Sequence, residues 1–301
     1  MDLEKYFDEI YQDYDRYLVI PLALVAFAVI VLGANYITTG QTMQKGLDFT
    51  GGTSATVDIE GEFDTREIES VFGDTGRTGV NVVKQTTDGE TLASIQIPPP
   101  DISQEETEQI LTDAGYTADV RAFRAISAAV SGQFFQQAQL AFVLAFTIMS
   151  LVIFTAFKDV VPSLAVIFAA AGDILFAAAG MTLVGIPLTL GSLAALLMLI
   201  GYSVDTDIVL STRVLKRQQG KLKERIWSSI KTGVTMSSGG IAAFIILYIT
   251  SYIIVGPSEL TNIAGVMIIG LLADIPLTWF GNAVILKKYV NGEFEGVMPW
   301  N

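Results

Sequence analysis

The chain contains no cysteine and no histidine. The first absence removes disulfides, thiolate metal sites and thiol nucleophiles. The second removes every histidine-based triad and imidazole metal site. Charge is scarce too, at 16% of 301 residues, and leans acidic, with 31 Asp and Glu against 18 Lys and Arg. The formal charge of −13 disfavours nucleic acid as a partner, because phosphate contacts need basic groups. Dense carboxylates of this kind help keep protein soluble at high salt. No Gly-rich loop ends in Lys-Ser or Lys-Thr, so no nucleotide site is read. No cofactor, metal site or enzymatic activity is expected.

Apolar residues are abundant: 51% of the chain, with a mean hydropathy of +0.51. That composition predicts a polytopic α-helical membrane protein. Six stretches are long enough to cross roughly 30 Å of hydrocarbon, near 18–38, 139–157, 161–184, 189–211, 232–256 and 262–286. Gly185 and Pro187 predict a tight link between the third and fourth, and VGPSE divides the last two. The first 17 residues, MDLEKYFDEIYQDYDRY, lack the basic start and small-residue cut site of a signal peptide. They are expected to form a cytoplasmic tail, with 18–40 retained as the first transmembrane helix.

Lysine and arginine set the expected orientation. Arg213, Lys216, Arg217, Lys221, Lys223, Arg225 and Lys231 crowd one link, Lys287 and Lys288 follow the last span, and Lys158 lies between spans two and three. Placing all of these in the cytoplasm puts both termini inside, with 289–301 as a second tail. Only the amino-terminal tail, with two basic and six acidic residues, gives that orientation no support.

Residues 41–138 then lie outside, with 16 acidic and 6 basic residues. TSATVDIE alternates like a half-buried strand, and DTREIESVFG is a helix capped by Asp64. GVNVVKQTTDGETLASIQIP reads as a hairpin around Asp88-Gly89, SQEETEQILTDAG as a second helix with a Ser103/Glu106 capping box, and YTADVRAF as the last strand. The order β-α-β-β-α-β predicts a ferredoxin-like α/β domain over 41–129; an irregular loop is the bland alternative. VSGQFFQQAQ, 130–139, suits an interfacial amphipathic stretch or a plain linker helix. It opens the 130–288 block carrying helices 2–6.

Four acids fall within predicted spans: Asp173, Asp205, Asp207 and Asp274. A carboxylate at membrane depth faces protein or water and is a functional hypothesis by default. Asp173 and Asp274 sit near mid-membrane, Asp205 and Asp207 closer to the inner end. An i,i+2 pair diverges by about 200° on a helix, so Asp205 and Asp207 cannot share one narrow site. The expected relay pairs a carboxylate with Lys231 across the bundle, with Ser203, Thr206, Thr232 and Thr235 holding water; a static ion pair is the plain alternative. Ser237, Ser238, Gly239 and Gly240 read as a helix-packing seam.

GLDFTGG at 46–52 and GYS…D…V…R at 201–213, with Gly172-Asp173 and the Lys-Thr-x-x-Thr around Lys231, resemble the SecF family of protein export. The resemblance spans nearly the whole chain and looks closer to the archaeal branch, where the acidic composition fits a salt-loving member. It implies an RND-like permease fold, a SecD-like partner, a SecY-type channel, a translocating unfolded polypeptide and a lipid setting. The implied role is an accessory subunit coupling an ion gradient to late translocation. Gly46, Asp48, Gly51 and Gly52 would carry the domain-to-span junction. Bacterial members place their relay aspartate at the position of Thr206, which Asp205 and Asp207 flank here, and an arginine where Lys231 stands. The rival readings are an RND-type small-molecule or lipid exporter subunit, an intramembrane aspartyl protease using Asp173 and Asp274, and a translocon scaffold without ion coupling.

Overall fold

The computed structural model describes residues 3–87, 90–216 and 219–294. It carries six helices long and apolar enough to cross a membrane: Tyr14–Thr39, Ala128–Phe157, Val160–Val184, Leu190–Lys216, Leu222–Val255 and Glu259–Val290, here spans 1 to 6. Several outrun the apolar windows of the sequence. Hydropathy sees only the hydrocarbon-facing part, whereas span 5 begins ten residues earlier, in the basic segment at Leu222. Spans 3, 4 and 6 form the interior, with half or more of their apolar windows buried; spans 1, 2 and 5 are mostly open to the outside. Small residues let the interior helices close up. A Cβ on Gly270 would lie 2.3 Å from Leu199, and one on Gly180 2.4 Å from Ile269.

Between spans 1 and 2 sits a small α/β domain. Its elements are β1 (Gly52–Ile59), a helix (Thr65–Asp74), β2 (Asn81–Thr87), β3 (Glu90–Ile97), a second helix (Gln104–Asp113) and β4 (Ala118–Ile126). The strands are antiparallel neighbours in the order β2-β3-β1-β4. Alternation along β1 turns Ala55, Val57 and Ile59 inward, where they meet Ile68 and Phe72 of the first helix and Leu111 of the second. Fully burying a side chain such as Phe72 contributes about 1.5–3 kcal/mol. Asp64 caps the first helix through Arg66 N–H at 2.8 Å. Ser103 accepts from Glu106 N–H at 3.1 Å, but the Glu106 carboxylate is drawn to Arg77 at 2.8 Å and does not complete the box. The turn expected at Asp88-Gly89 lies outside the described residues.

The amino-terminal segment does not stand off as a tail. A helix, α1 (Leu3–Gln12), lies against the amino-terminal end of span 5 and the carboxy-terminal end of span 6. Phe7 stacks on Trp227 with ring centroids 4.8 Å apart, and the buried Tyr14 hydroxyl donates to the Trp279 carbonyl. Asp8 pairs with Lys223, and Asp15 lies 3.3 Å from both Lys287 and Lys288. The acids that broke the charge pattern are partners of the basic span ends.

Span 6 changes register where it matters. Pro276 lacks an N–H, and the helix continues as a π-helical stretch over Leu277–Asn282 before resuming as α. The wider turn rotates Asn282 back toward the face carrying Asp274 and Thr278.

Candidate functional site

Spans 3, 4 and 6 each bring one fully buried carboxylate to the bundle interior: Asp173, Asp207 and Asp274. Hydroxyls knit them together. Ser203 donates to Asp173 Oδ2, and Asn282 Nδ2 donates to Asp207 Oδ1 at 2.7 Å. The Thr278 hydroxyl lies between two acids, 3.0 Å from Asp207 Oδ1 and 3.2 Å from Asp274 Oδ1. Ser237 Oγ stands 3.2 Å from Asp274 Oδ2. No basic side chain forms an ion pair with any of the three among the described residues. Among the described residues Asp173 Oδ1 and Asp207 Oδ2 have no hydrogen-bond partner, nor do the buried Ser211 hydroxyl and the Asn282 side-chain Oδ1. Each isolated buried charge costs several kcal/mol, so the chemistry this cluster suits is the uptake of protons or small cations.

Proton counting narrows it further. Thr206 donates to the Ser203 carbonyl at 2.7 Å, which commits its proton although both Asp274 oxygens lie 3.3 Å away. Thr278 has one hydroxyl proton for two carboxylates. If that proton goes to Asp207, the better placed acceptor, Asp274 is left with Ser237 as its one uncontested donor.

Asp205 and Lys231 are not brought together. Asp205 is exposed on the outer face of span 4, with no ion-pair or hydrogen-bond partner among the described residues. Lys231 is exposed on span 5, its ammonium 5.6 Å from the Trp227 ring. The i,i+2 divergence has sent Asp207 inward and Asp205 outward. The Thr232 hydroxyl accepts from Arg213 at 2.9 Å, and Thr235 bonds back to the Lys231 carbonyl. Ser203 and Thr206 do join the cluster; Thr232 and Thr235 do not. Three members went unread in the sequence: Ser237, taken for a packing residue, Thr278 and Asn282. Asp274, Thr278 and Asn282 recur every fourth residue in an otherwise apolar span, which is the signal that would have found the last two.

At the other end of the bundle, GLDFTGG forms a joint. Gly46 N–H donates to the Leu188 carbonyl at 2.8 Å, and Leu188 N–H donates to the Gln44 carbonyl at 2.8 Å. The strip leaving span 1 is thereby zipped to the link between spans 3 and 4. A Cβ on Gly46 would lie 2.6 Å from Thr189, and one on Gly52, at φ +124°, only 2.3 Å from the Ile97 carbonyl oxygen. Gly51, at φ +78°, abuts the Ala128 backbone at the start of span 2. Asp48 binds the Arg124 guanidinium of β4 at 2.9 Å through one oxygen. Through the other it accepts the Leu190 N–H at 3.0 Å, at the positive end of span 4. Thr189, which caps that span, donates to Glu259 at 2.7 Å at the head of span 6. Domain, span 4 and span 6 are thus tied at one point.

A family model described as Protein export membrane protein SecD/SecF, C-terminal, matches residues 106–292. The protein-export membrane protein SecF of Methanothermobacter thermautotrophicus is 39% identical over 284 residues, 94% of this chain and 95% of that one. The chain belongs to the SecF family. The SecF of Haloferax volcanii is 38% identical over 299 residues, covering 95% and 96% of the two chains. Among solved structures, SecDF of Thermus thermophilus, described as a translocon-associated membrane protein, matches 93% of this chain with a TM-score of 0.74 at 21% identity. This likeness concerns the fold, and this SecF-family chain spans 38% of the SecDF chain.

Proposed function

We propose that this SecF-family protein is an accessory subunit of the Sec export machinery that pairs with a SecD-like protein. It would couple movement of an ion through Asp173, Asp207 and Asp274 to displacement of its exported domain, assisting late translocation of an unfolded polypeptide through a SecY-type channel. The observation that carries the coupling is the three-carboxylate cluster, fully buried with neutral partners only. Its net charge has to change with occupancy, and a change of charge in a dry interior biases helix packing. Span 4 carries Ser203, Thr206 and Asp207 at one level and is held by Asp48 at its outer end. A shift of this helix reaches β4 through the Asp48–Arg124 contact.

Asp205 and Lys231 belong to the partner in this reading. A carboxylate at membrane depth is costly when it faces lipid, and close approach of a second helix is open at Gly201 and Gly239, where an added Cβ meets nothing within 4 Å. This face of spans 4 and 5 suits a partner helix bearing a complementary charge. We read the exported domain, residues 41–129, as ferredoxin-like, which the β2-β3-β1-β4 order supports, and the helices as an RND-type half. Both termini lie in the cytoplasm in this reading. The pairing of Asp8 and Asp15 with Lys223, Lys287 and Lys288 supports it, because it sets the acidic segment on the side of the basic links.

The test is export into membrane vesicles under an imposed ion gradient, with Asp207→Asn and Asp274→Asn introduced singly. The complex should assemble and lose gradient-dependent export. Full export in both variants would leave the scaffold reading in its place.

A further inference from the structure

A second feature lies just below the joint, its nearest residue on span 4, Leu196, eleven residues along the helix from Asp207. It is a half-open cavity of about 510 Å³ whose walls come from spans 1, 2, 3 and 4, including Leu32, Phe142, Ile174, Leu175 and Leu193. The lining is apolar apart from Thr42, Gln139 and Lys45, and Lys45 is its one charged residue. The Lys45 ammonium sits at the mouth, 3.9 Å from the centre of the Phe135 ring. The nearby acid, Asp48, is already engaged by Arg124 and the Leu190 N–H.

Depth sets the scale. Ile174 lies ten residues inside the outer end of span 3 at Val184, about 15 Å at 1.5 Å per residue. Leu32 lies seven residues inside Thr39 of span 1, about 10 Å by the same rise. The slot therefore descends through about half of a roughly 30 Å hydrocarbon core, one leaflet on the side of the α/β domain. A single hydrocarbon chain fits.

We propose that this slot holds one hydrocarbon chain of an anionic membrane lipid, with the lipid phosphate at Lys45. In a chain of net charge −13, a lone ammonium at the mouth of an apolar slot selects an anionic headgroup over a zwitterionic one. Lys45, which lines the slot, sits between Gln44 and Gly46, the two residues whose backbones zip the strip leading to the domain onto Leu188. A chain in the slot therefore packs beneath the joint and props the domain, whatever the ion coupling proves to be.

The experiment reconstitutes the full chain in vesicles of equal phosphatidylglycerol and phosphatidylcholine, extracts it in mild detergent and counts retained lipid by native mass spectrometry. The unmodified protein should keep one lipid, with phosphatidylglycerol favoured at least fivefold. Lys45→Gln should bring that ratio to near one without changing helix content. Leu175→Trp, which fills the slot, should abolish retention. The charge variant gives a reading even if the tryptophan variant fails to fold. An unchanged lipid ratio in Lys45→Gln, or no lipid retained by the unmodified protein, overturns the assignment. Neither outcome touches the export reading, which is assayed separately.

Discussion

Thr278→Val exchanges a hydroxyl for a methyl at nearly constant shape and so isolates what that hydroxyl does. In the structure it stands 3.0 Å from Asp207 and 3.2 Å from Asp274, the one hydroxyl among the described residues that links the two acids. A hydrogen bond to a charged group contributes about 1.5–3 kcal/mol, so removing it should destabilise by that order. Asn282, at 2.7 Å, remains to hold Asp207 in place and cap the loss. The functional effect should be larger than the structural one. With no hydroxyl to accept from Asp274 and donate to Asp207, a proton has no direct route between them, and gradient-driven export should fall about tenfold or more. Thr278→Ser restores the hydroxyl and should restore coupling. The assays are thermal unfolding in detergent and export from vesicles at matched protein level. If Thr278→Val lowers stability but exports as well as the unmodified protein, the hydroxyl is a strut and the proposed route is wrong.

Asp205→Asn should leave the isolated subunit as stable as before, because no described residue hydrogen-bonds or ion-pairs with that carboxylate, but weaken co-purification of the SecD-like partner by severalfold; undiminished co-purification would remove Asp205 from the interface. Asp48→Asn should keep the fold, since the amide oxygen still accepts one donor, while loosening the domain from span 4; faster amide exchange in β4 than in β3 would register it. Gly52→Ala forces a side chain into φ +124° and against the Ile97 carbonyl, costing roughly 1–3 kcal/mol from the dihedral alone and more from overlap. Poor accumulation of the full chain checks this, and normal accumulation counts against the joint's rigidity. Lys231→Ala should leave gradient dependence intact if it acts only at the outer face.

The fold was largely legible in the sequence, because its determinants are local. Apolar length marked the spans, and alternation with Asp64 and Ser103 as caps marked the strands and helices of the domain. The site was legible only in part. Helical geometry says that Asp205 and Asp207 diverge, yet not which one faces inward. That is decided by Thr278 and Asn282, some seventy residues away, which offer donors to one side of span 4. Lys231 invited pairing by depth alone, and depth carries no information about rotation around the helix axis. Ser237 was hidden by its neighbours, since Ser-Ser-Gly-Gly reads as packing and only one of the four reaches an acid. The π-helical turn after Pro276 was unreadable, because it depends on how the helix resolves a missing N–H.

The two ends of span 4 make sense together. From Leu190 to Asp207 the helix takes seventeen steps, about 26 Å at its regular rise, without a proline or a break. A helix of that length transmits displacement as a rod, whereas coupling between distant sites needs an element with two discrete positions. The rod has contacts that can serve both needs. At the level of Asp207 it is bonded to span 6 through Thr278 and Asn282, both within the π-helical segment, and its own carboxy-terminal end passes into another over Thr212–Lys216. Its outer end is bonded by one carboxylate to the domain, through Arg124, and by its cap to span 6, through Glu259. Because span 6 meets span 4 at both levels, the proposed coupling would have altered charge at the carboxylates slide one helix against the other and load the contact at Asp48 directly. Replacing Asp48 should therefore uncouple the domain while leaving the carboxylate cluster intact, and replacing Thr278 should do the reverse. The two losses, combined in one chain, should be no worse than either alone if the path is a single series.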